Sequence, residues 1–353
     1  MTKVLRPRAT GDEVALRAGV SRTTVSFVLN DIRNKGISDA TRQRVLDVAS
    51  DLGYQPNAAA RTLAGGSTGT IAVVIARSDD LHFDAYLPRL LSTVNDRCHR
   101  YGYKVLIESA DEQLKRPGAF IDLVRSRSID GLIVANMRTV DGCYVHQLFE
   151  QGFPIVVPGN GAETFYSRCA SNCDENSAHV ATSHLIGLGH QRIAHLPFSS
   201  KAFDLVVQRH AGYQRALAET GIAYDRKLVS FANITAESGY VAMKKVLKRK
   251  VAFTAVFAGN DTIAYGAMQA LDEAGLEMPG DVAVVGYDDL PLSAFVRPAL
   301  TTIRTDPVLQ GTEAVDMLMA RIGGQAYSRL ETCYETRLVI RKSCGQKVSE
   351  ARL

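Results

Sequence analysis

Asp12-Glu-Val-Ala-Leu-Arg-Ala-Gly19-Val-Ser21-Arg-Thr-Thr-Val-Ser-Phe-Val-Leu-Asn30 decides how the first sixty residues of this 353-residue chain fold. Thr10 followed by Glu13 forms a capping box, so a short helix starts at Gly11. Gly19 ends that helix, because a residue without Cβ readily takes the positive φ of a tight turn. Ser21 caps a second helix, on which Val25, Val28 and Leu29 recur at i, i+3 and i+4 and face Val14 and Ala15 of the first. The other face of the second helix carries Arg22, Thr23, Ser26, Phe27 and Asn30. A glycine turn between two short helices, the second with an outward polar and basic face, makes a helix-turn-helix suited to the DNA major groove. An ordinary helical hairpin is the bland alternative.

The following residues weaken that alternative. Ser38 caps a third helix whose Val45, Val48, Ala49 and Leu52 complete a three-helix core, and Gly53 stops it. Next comes Tyr54-Gln-Pro56-Asn57-Ala-Ala-Ala60-Arg61-Thr-Leu63. Ala9-Thr10 with Asp12-x-Val14-Ala15, Ala18-Gly19-Val20-Ser21-x-x-Thr24-Val25-Ser26, Thr41-Arg42-x-x-Val45 and Leu52-Gly53-Tyr54-x-Pro56-Asn57-x-x-Ala60-Arg61-x-Leu63 together resemble the DNA-binding headpiece of the lactose-repressor/galactose-repressor (LacI/GalR) family of bacterial transcription factors. The resemblance implies DNA contacts from Thr10, Ser21, Arg22, Thr23, Thr24, Ser26, Phe27 and Asn30, from Arg33 in the next loop, and from Tyr54, Asn57, Ala60, Arg61 and Leu63. The family commonly has Arg or His at the Phe27 position; Phe suits an apolar contact such as a thymine methyl. The loop from Asp31 to Gly36 is longer than usual in the family and brings Arg33 and Lys35 within reach of phosphates. Pro56–Leu63 is too short to hold a helix alone in water. By the resemblance it orders on DNA, with Leu63 as an apolar wedge in the minor groove.

Charge follows the same division. Residues 1–66 carry ten Lys/Arg against six Asp/Glu, and the remainder carries thirty-one of each, so the whole excess of +4 lies in the head. That placement suits a polyanionic partner for the head and none for the body. No apolar run reaches the ~18 residues of a membrane span, and the first residues lack the apolar core of a signal peptide. A cytoplasmic, nucleoid-associated bacterial protein is expected, with its six cysteines as reduced thiols. Cys169-x3-Cys173 with His179 and His184 fits no common zinc module, so neither metal nor cofactor is expected.

Beyond the linker Gly65-Gly-Ser-Thr-Gly69, the body alternates strands and helices. Strands are expected at Ile71–Ala76, Tyr103–Ile107, Gly131–Ala135, Pro154–Val157, Arg192–Leu196, Leu228–Phe231, Ala255–Ala258 and Val282–Val285. Helices are expected near Tyr86–Arg100, Phe120–Ser128, Asn176–Leu188, Gln208–Thr220, Ser238–Leu247 and Thr262–Ala274. This pattern predicts two doubly wound subdomains with parallel sheets and a ligand site outside the carboxyl ends of the strands. Asp130-Gly131, His184-Leu-Ile-x-Leu-Gly189-His190-x-Arg192-Ile193, Arg209-x-Ala-Gly212-Tyr213-x-x-Ala216-Leu217, Asn260-Asp261, Val284-Val-Gly286-Tyr287-Asp288-Asp289 and Pro298-x-Leu300-Thr301-Thr302-Ile303 resemble the periplasmic-binding-protein-like core of the same family.

The whole is therefore expected to be an α/β protein, an all-α helix-turn-helix headpiece plus a two-subdomain core. The expected boundaries are 1–55 for the headpiece, 56–69 for the hinge and linker, 70–341 for the core and 342–353 for a tail. Within the core, one subdomain takes 70–168 plus 304–330 and the other 169–303 plus 331–341. The resemblance places the effector among Arg209, Asn260 and Asp288, with His82, Phe83 and Ile234 lining the site. A guanidinium donates, a carboxylate accepts and an amide does both, which suits a sugar or sugar derivative. Two departures from sugar-binding members, Ile234 where an aromatic is frequent and Gly159 where Asp is frequent, argue against a common hexose. An Arg–Asp salt bridge that merely closes the cleft is the alternative reading of Arg209 and Asp288.

Enzyme readings fail on context. Gly65-Gly-Ser67-Thr-Gly69 matches G-x-S-x-G but follows a helix and opens a strand, the reverse of a nucleophile elbow. Gly159-Asn-Gly161 lacks the third glycine of a dinucleotide fingerprint, with Thr164 in its place. Asp288-Asp289 has no nucleophile or ligand set nearby in sequence. The reading is a homodimeric repressor that binds pseudo-palindromic double-stranded operator DNA and answers to a carbohydrate-like effector. The tail after Arg341 has no heptads, so no coiled-coil tetramer is expected. A solute-binding protein, or an enzyme of sugar or nucleotide metabolism, is the alternative.

Overall fold

A computed structural model describes residues 9–29, 32–33, 35–54, 67–76, 81–83, 85–110, 118–135, 138–158, 168–198, 204–325 and 337–345. The chain divides into two compact units, Met1–Thr68 and Gly69–Leu353.

In the first unit, helix α1 (Gly11–Ala18) starts at the Thr10–Glu13 capping box and ends at Gly19 with φ 65°. Helices α2 (Arg22–Leu29) and α3 (Asp39–Asp51) follow, the latter capped by Ser38 accepting from Thr41 N. Val14, Ala15, Ala18, Val25, Val28, Val45 and Ala49 bury together, with Leu29, Val48, Leu52 and Tyr54 packed around them. A core this small leaves little surplus over chain entropy, so polar fasteners matter. Arg44 Nε donates to Ala18 O at 2.9 Å, and Arg42 Nη2 donates to Ile32 O at 2.9 Å.

The second unit holds two sheets. The first takes β1 (Thr70–Ile75), β2 (Lys104–Ser109), β3 (Gly131–Val134) and β4 (Ile155–Val156) in the order β2-β1-β3-β4, all parallel. Central strands are apolar throughout because both faces are covered. Helices α4 (Tyr86–Arg100) and, from much later in the chain, α11 (Pro307–Ile322) seal one face through Leu87, Leu90, Val94, Ala314, Val315 and Leu318. Helices α5 (Ile121–Arg125) and α6 (Gly142–Glu150) cover the other through Ile121, Val145 and Leu148. Edge strand β2 instead leaves Leu106 and Ile107 exposed.

The second sheet takes β5 (Ile193–Leu196), β6 (Ala255–Ala258), β7 (Ala283–Asp288), β8 (Thr301–Arg304) and β9 (Arg337–Val339) in sequence order, parallel except for β9. Helices α7 (Arg168–Gly187) and α8 (Asp204–Glu219) lie on one face, and α9 (Ala236–Lys248) and α10 (Asp261–Asp272) on the other. After β8 the chain returns to the first sheet as α11, where Arg97 grips Asp316 through two hydrogen bonds of 2.8 and 2.9 Å. The chain leaves β8 at Arg304, whose Nε donates to Asp289 beside the site described below.

Several expectations are corrected. Leu228–Phe231 is no strand: Asp225 caps a 3-10 turn, Arg226–Leu228, and only isolated bridges His195–Val229 and Phe198–Ala232 join the segment to the sheet edge. Residues 342–345 are not tail. Ser343 and Cys344 are buried, Val284 N donates to Ser343 O at 2.8 Å, and Thr301 N donates to Ser343 Oγ at 2.8 Å. Helices α6 and α11 and strands β8 and β9 lie outside the expected elements. Cys98, Cys143 and Cys344 are free thiols. Among the described residues no helix is long and apolar enough to cross a membrane, and no three His, Cys, Asp or Glu side chains cluster to hold a metal.

Candidate functional site

The head presents a polar surface on α2. Ser21 Oγ accepts from Thr24 N at 3.1 Å and lies 2.9 Å from Thr24 Oγ1, so Ser21 caps the helix and part of Thr24 is committed to that cap. Arg22, Thr23 and Ser26 are exposed, and Arg33 is exposed in the following loop. Arg22 Nη1 stands 3.4 Å from Asp12 Oδ2, an exposed pair that binds its partners weakly. Phe27 is half-buried rather than fully outward, with Lys35 Nζ 5.5 Å from its ring centroid. Thr10 is the cap of α1. Tyr54 spends its ring on the head core, with its hydroxyl against the start of α1 beside Gly11. Asn30, Asn57, Ala60, Arg61 and Leu63 lie outside the described residues.

In the second unit the carboxyl ends of β5, β6 and β7 converge on Arg209. This residue is one turn inside α8 rather than at its start, since the helix begins at Asp204. Its guanidinium is nearly buried, donates from Nε to Asp174 Oδ1 at 2.7 Å and from Nη1 to Gly259 O at 2.8 Å, and stacks 3.6 Å from the Tyr287 ring centroid. Phe198, just past β5, flanks it at 5.4 Å. Burial works against the charged guanidinium. The charges of Asp174 and Asp288, with the Tyr287 phenol, more than offset that and hold its pKa above the ordinary value. Burial likewise keeps the Tyr287 phenol protonated, and it donates to Asp174 Oδ1 at 2.9 Å.

Asp288 is the last residue of β7, not beyond it. Its φ of 110° and the 54° of Asp289 are conformations that L-residues adopt only when surroundings over-determine them. Asp289 supplies that constraint: Oδ2 accepts from Arg304 Nε and Oδ1 from Arg341 Nη2, both at 2.6 Å. The two arginines stand where the chain leaves β8 for the first subdomain and where it leaves β9, so Asp289 joins the site to the crossover. Asn260 cannot offer both halves of its amide. Oδ1 caps α10 by accepting from Ile263 N at 2.7 Å, while Nδ2 is 3.5 Å from Ile234 O. Next to it Asp261 is fully buried. It accepts from Leu290 N, Ser293 Oγ and Thr302 Oγ1, and burial pushes its pKa up to about 6 despite those donors.

From the first subdomain, Phe83 reaches the start of α10, its carbonyl 3.5 Å from Thr262 Oγ1; Phe83 and His82 are both exposed. Ile234 is half-buried beside Asn260. The structure thus gathers Arg209, Asn260, Asp288, Ile234 and Phe83 at one end of the sheets, with His82 next to Phe83. Sequence reasoning missed Asp174, Tyr287, Phe198 and the Gly259 carbonyl, which orient Arg209. On the far side of α8, His210 stacks on His195, whose pKa burial drives down to about 3; the neutral ring hydrogen-bonds Phe257 O at 3.0 Å. The ion pair of Arg209 with Asp174, a residue of the same subdomain, braces one wall of the site.

Comparison with known proteins matches these two regions separately and together. Residues 10–57 match the model for bacterial regulatory proteins of the lacI family, and residues 182–344 match the periplasmic binding protein-like domain. The transcriptional repressor PurR of Erwinia tasmaniensis is 33% identical over 316 residues, covering 89% of this chain and 90% of its own. A lac repressor dimer bound to operator and the anti-inducer ONPF superposes with a TM-score of 0.78 at 28% identity, over 96% of this chain and 99% of that one. The regulator CelR in complex with cellobiose gives 0.67 at 30% identity, over 95% and 100%.

Proposed function

Because the chain belongs to the lacI family of bacterial regulatory proteins, we propose that it is a homodimeric cytoplasmic repressor whose grip on operator DNA is set by a sugar or sugar derivative held among Arg209, Asn260 and Asp288. As a member of that family it is a DNA-binding transcriptional regulator and not an enzyme. The carrying observation for the effector is the braced guanidinium. Arg209 is charged, yet Asp174 already neutralises it and Asp288 adds a second carboxylate nearby. A guanidinium already so compensated favours a neutral ligand with several hydroxyls over an anion. Arg209 and Asn260 Nδ2 would donate to hydroxyl oxygens, and Asp288 would accept hydroxyl protons. Phe83 and Ile234 would cover the apolar faces of a ring. The lac repressor and CelR likenesses support a dimer on operator and a carbohydrate ligand, respectively.

Response to the ligand follows from linkage. An effector shifts DNA affinity only by its differential affinity for two arrangements of the halves. A ligand on Arg209 and Asp288 bears on Phe83 across the site, and through Asp289 on Arg304 and Arg341 at the crossovers. A thermal-shift screen of the full chain against sugars, polyols and purine bases tests this, since a ligand at 100 times its Kd adds about 2.7 kcal/mol. The expected result is a hydroxylated neutral ligand whose binding Arg209→Ala abolishes, while ligand-free DNA binding persists if the ligand is an inducer. Stabilisation only by purines, or wild-type calorimetric affinity in Arg209→Ala, overturns the assignment.

A further inference from the structure

Thr23 and Phe27 are i, i+4 neighbours and share one stripe of α2, away from the Val25 and Val28 face. That stripe has a gap in its chemistry. Thr23 can hydrogen-bond a base edge; Phe27 one turn on cannot, and it is no member of the apolar cluster that holds the head together. Its ring lies instead beneath Lys35, whose Nζ is 5.5 Å from the ring centroid.

This approach is built into the loop. Ile32 N donates to Phe27 O at 2.9 Å, tying the loop to the end of α2. Arg42 fixes it from the other side, with Nη2 donating to Ile32 O at 2.9 Å and Nη1 to Val28 O at 3.5 Å. Gly36, at φ 66°, then turns the chain toward the Ser38 cap of α3. Lys35 lies between Ile32, held in this way, and the turn at Gly36, with its Nζ over the Phe27 ring.

We propose that Lys35 is a base-reading residue: from its seat on Phe27 its ammonium donates to O6 and N7 of a guanine at the base pair facing Phe27. The proposal rests on the reading of α2 as the DNA-facing helix. A cation over an aromatic face is attracted by the ring quadrupole and keeps its N–H donors pointing away from the ring. Seated there, the long side chain has less rotamer freedom to lose on binding than a free surface lysine. Guanine is the partner that an ammonium selects, because its major-groove edge offers two acceptors and no donor, whereas adenine sets its N6 amino group beside N7. The ring of Phe27 supplies the platform, and the loop supplies the hydrogen bond that the ring cannot make.

The test uses the full chain and a randomised duplex library. Wild-type selection defines the half-site, and the selection is repeated with Lys35→Met, which keeps most of the stem without the charge, and with Phe27→Leu, which removes the ring. Lys35→Met should lose the guanine preference at one position per half-site and bind the selected duplex about tenfold more weakly. On a duplex altered at that one base pair it should bind as wild type does. Phe27→Leu should lose preference at the same position, and the double variant should be no weaker than the weaker single one. Three outcomes overturn the proposal. One is uniform weakening across sequences with the slope of log K on log salt reduced by about 1, which marks a phosphate contact. Another is unchanged selection by Lys35→Met. The third is a wild-type chain that selects no sequence, which refutes the reading of α2 as well.

Discussion

Gly212→Ala should unseat the effector site without touching it. Gly212 stands where α8 comes closest to α7, and an added Cβ would lie in hard overlap with Glu175 O, 2.9 Å from His179 N and 3.0 Å from Ala178 Cβ. Ordinary carbon–carbon contacts are about 3.5–4.0 Å, so clearing Ala178 alone requires the helices to part by about 0.5–1 Å. Arg209 lies three residues earlier on α8 and holds Asp174 of α7 at 2.7 Å. The same movement takes that pair to or past the ~3.2 Å limit of a good N–H···O bond. Overpacking typically costs about 1–3 kcal/mol, and the loosened buried pair adds to it. A loss of about 2–4 kcal/mol is expected in urea unfolding, with effector affinity at least tenfold lower by calorimetry. Gly187→Ala is the control on the same pair of helices: it lies at the end of α7 with nothing within 4 Å and no positive φ. It should be neutral or slightly stabilising. If Gly212→Ala matches Gly187→Ala within about 0.5 kcal/mol and keeps wild-type effector affinity, then α7 does not position Arg209 through this contact.

Two further outcomes are expected. Asp261 has its pKa raised from 3.8 to about 6 by burial, so the folded state holds its proton more tightly than the unfolded state. Its stabilising contribution is present below pH 3.8 and is lost as pH rises through about 6, a difference approaching about 3 kcal/mol. Asp261→Asn should remove that slope, measured as the urea midpoint between pH 4 and 7; parallel curves for the two proteins refute it. Deleting residues 1–66 should leave the core folded, since Met1–Thr68 and Gly69–Leu353 are separate compact units. The truncated protein should keep effector binding and lose the salt-dependent DNA shift, and a retained shift would move the DNA site out of the head.

The fold was legible where residue pattern and environment agree. Ile71–Ile75 and Ala255–Ala258 are apolar throughout because helices cover both faces, and that run announces a buried parallel strand. Thr10 with Glu13, and Ser38 with Thr41, announce helix starts because the capping bond is local. Thr301-Thr302-Ile303 gives no such signal. Its hydroxyls are buried because Thr302 serves Asp261 and Thr301 serves Arg341 N, partners 41 and 40 residues away. Strand β8 therefore looks like a polar loop until those partners are in place. Helix α11 did carry signals, Asp306 as cap and Pro307 in the first turn. Its apolar stripe, however, answers to α4 and a sheet more than 150 residues earlier. Leu228–Phe231 failed for the opposite reason: its apolar residues match a strand, but beyond two bridges the backbone does not pair with β5.

For the site, residue type was legible and orientation was not. Arg209, Asn260 and Asp288 stand out because each follows or ends an apolar strand–loop unit, where open α/β sheets place their ligands. What each can offer is decided by neighbours distant in sequence. Asp174, 35 residues before Arg209, pairs with the guanidinium, and Tyr287, 113 residues after Asp174, stacks on it and donates to Asp174. Those two bonds change what the guanidinium can offer a ligand. A bare arginine would select an anion; on the reading proposed above, one already paired, with Asp288 close by, would suit hydroxyls. Asn260 is altered in the same sense, its oxygen spent on Ile263 N so that only the amino end remains to meet a ligand. On that proposed reading, what the three residues picked out by the sequence can offer a ligand depends on Asp174, which no spacing rule connects to them.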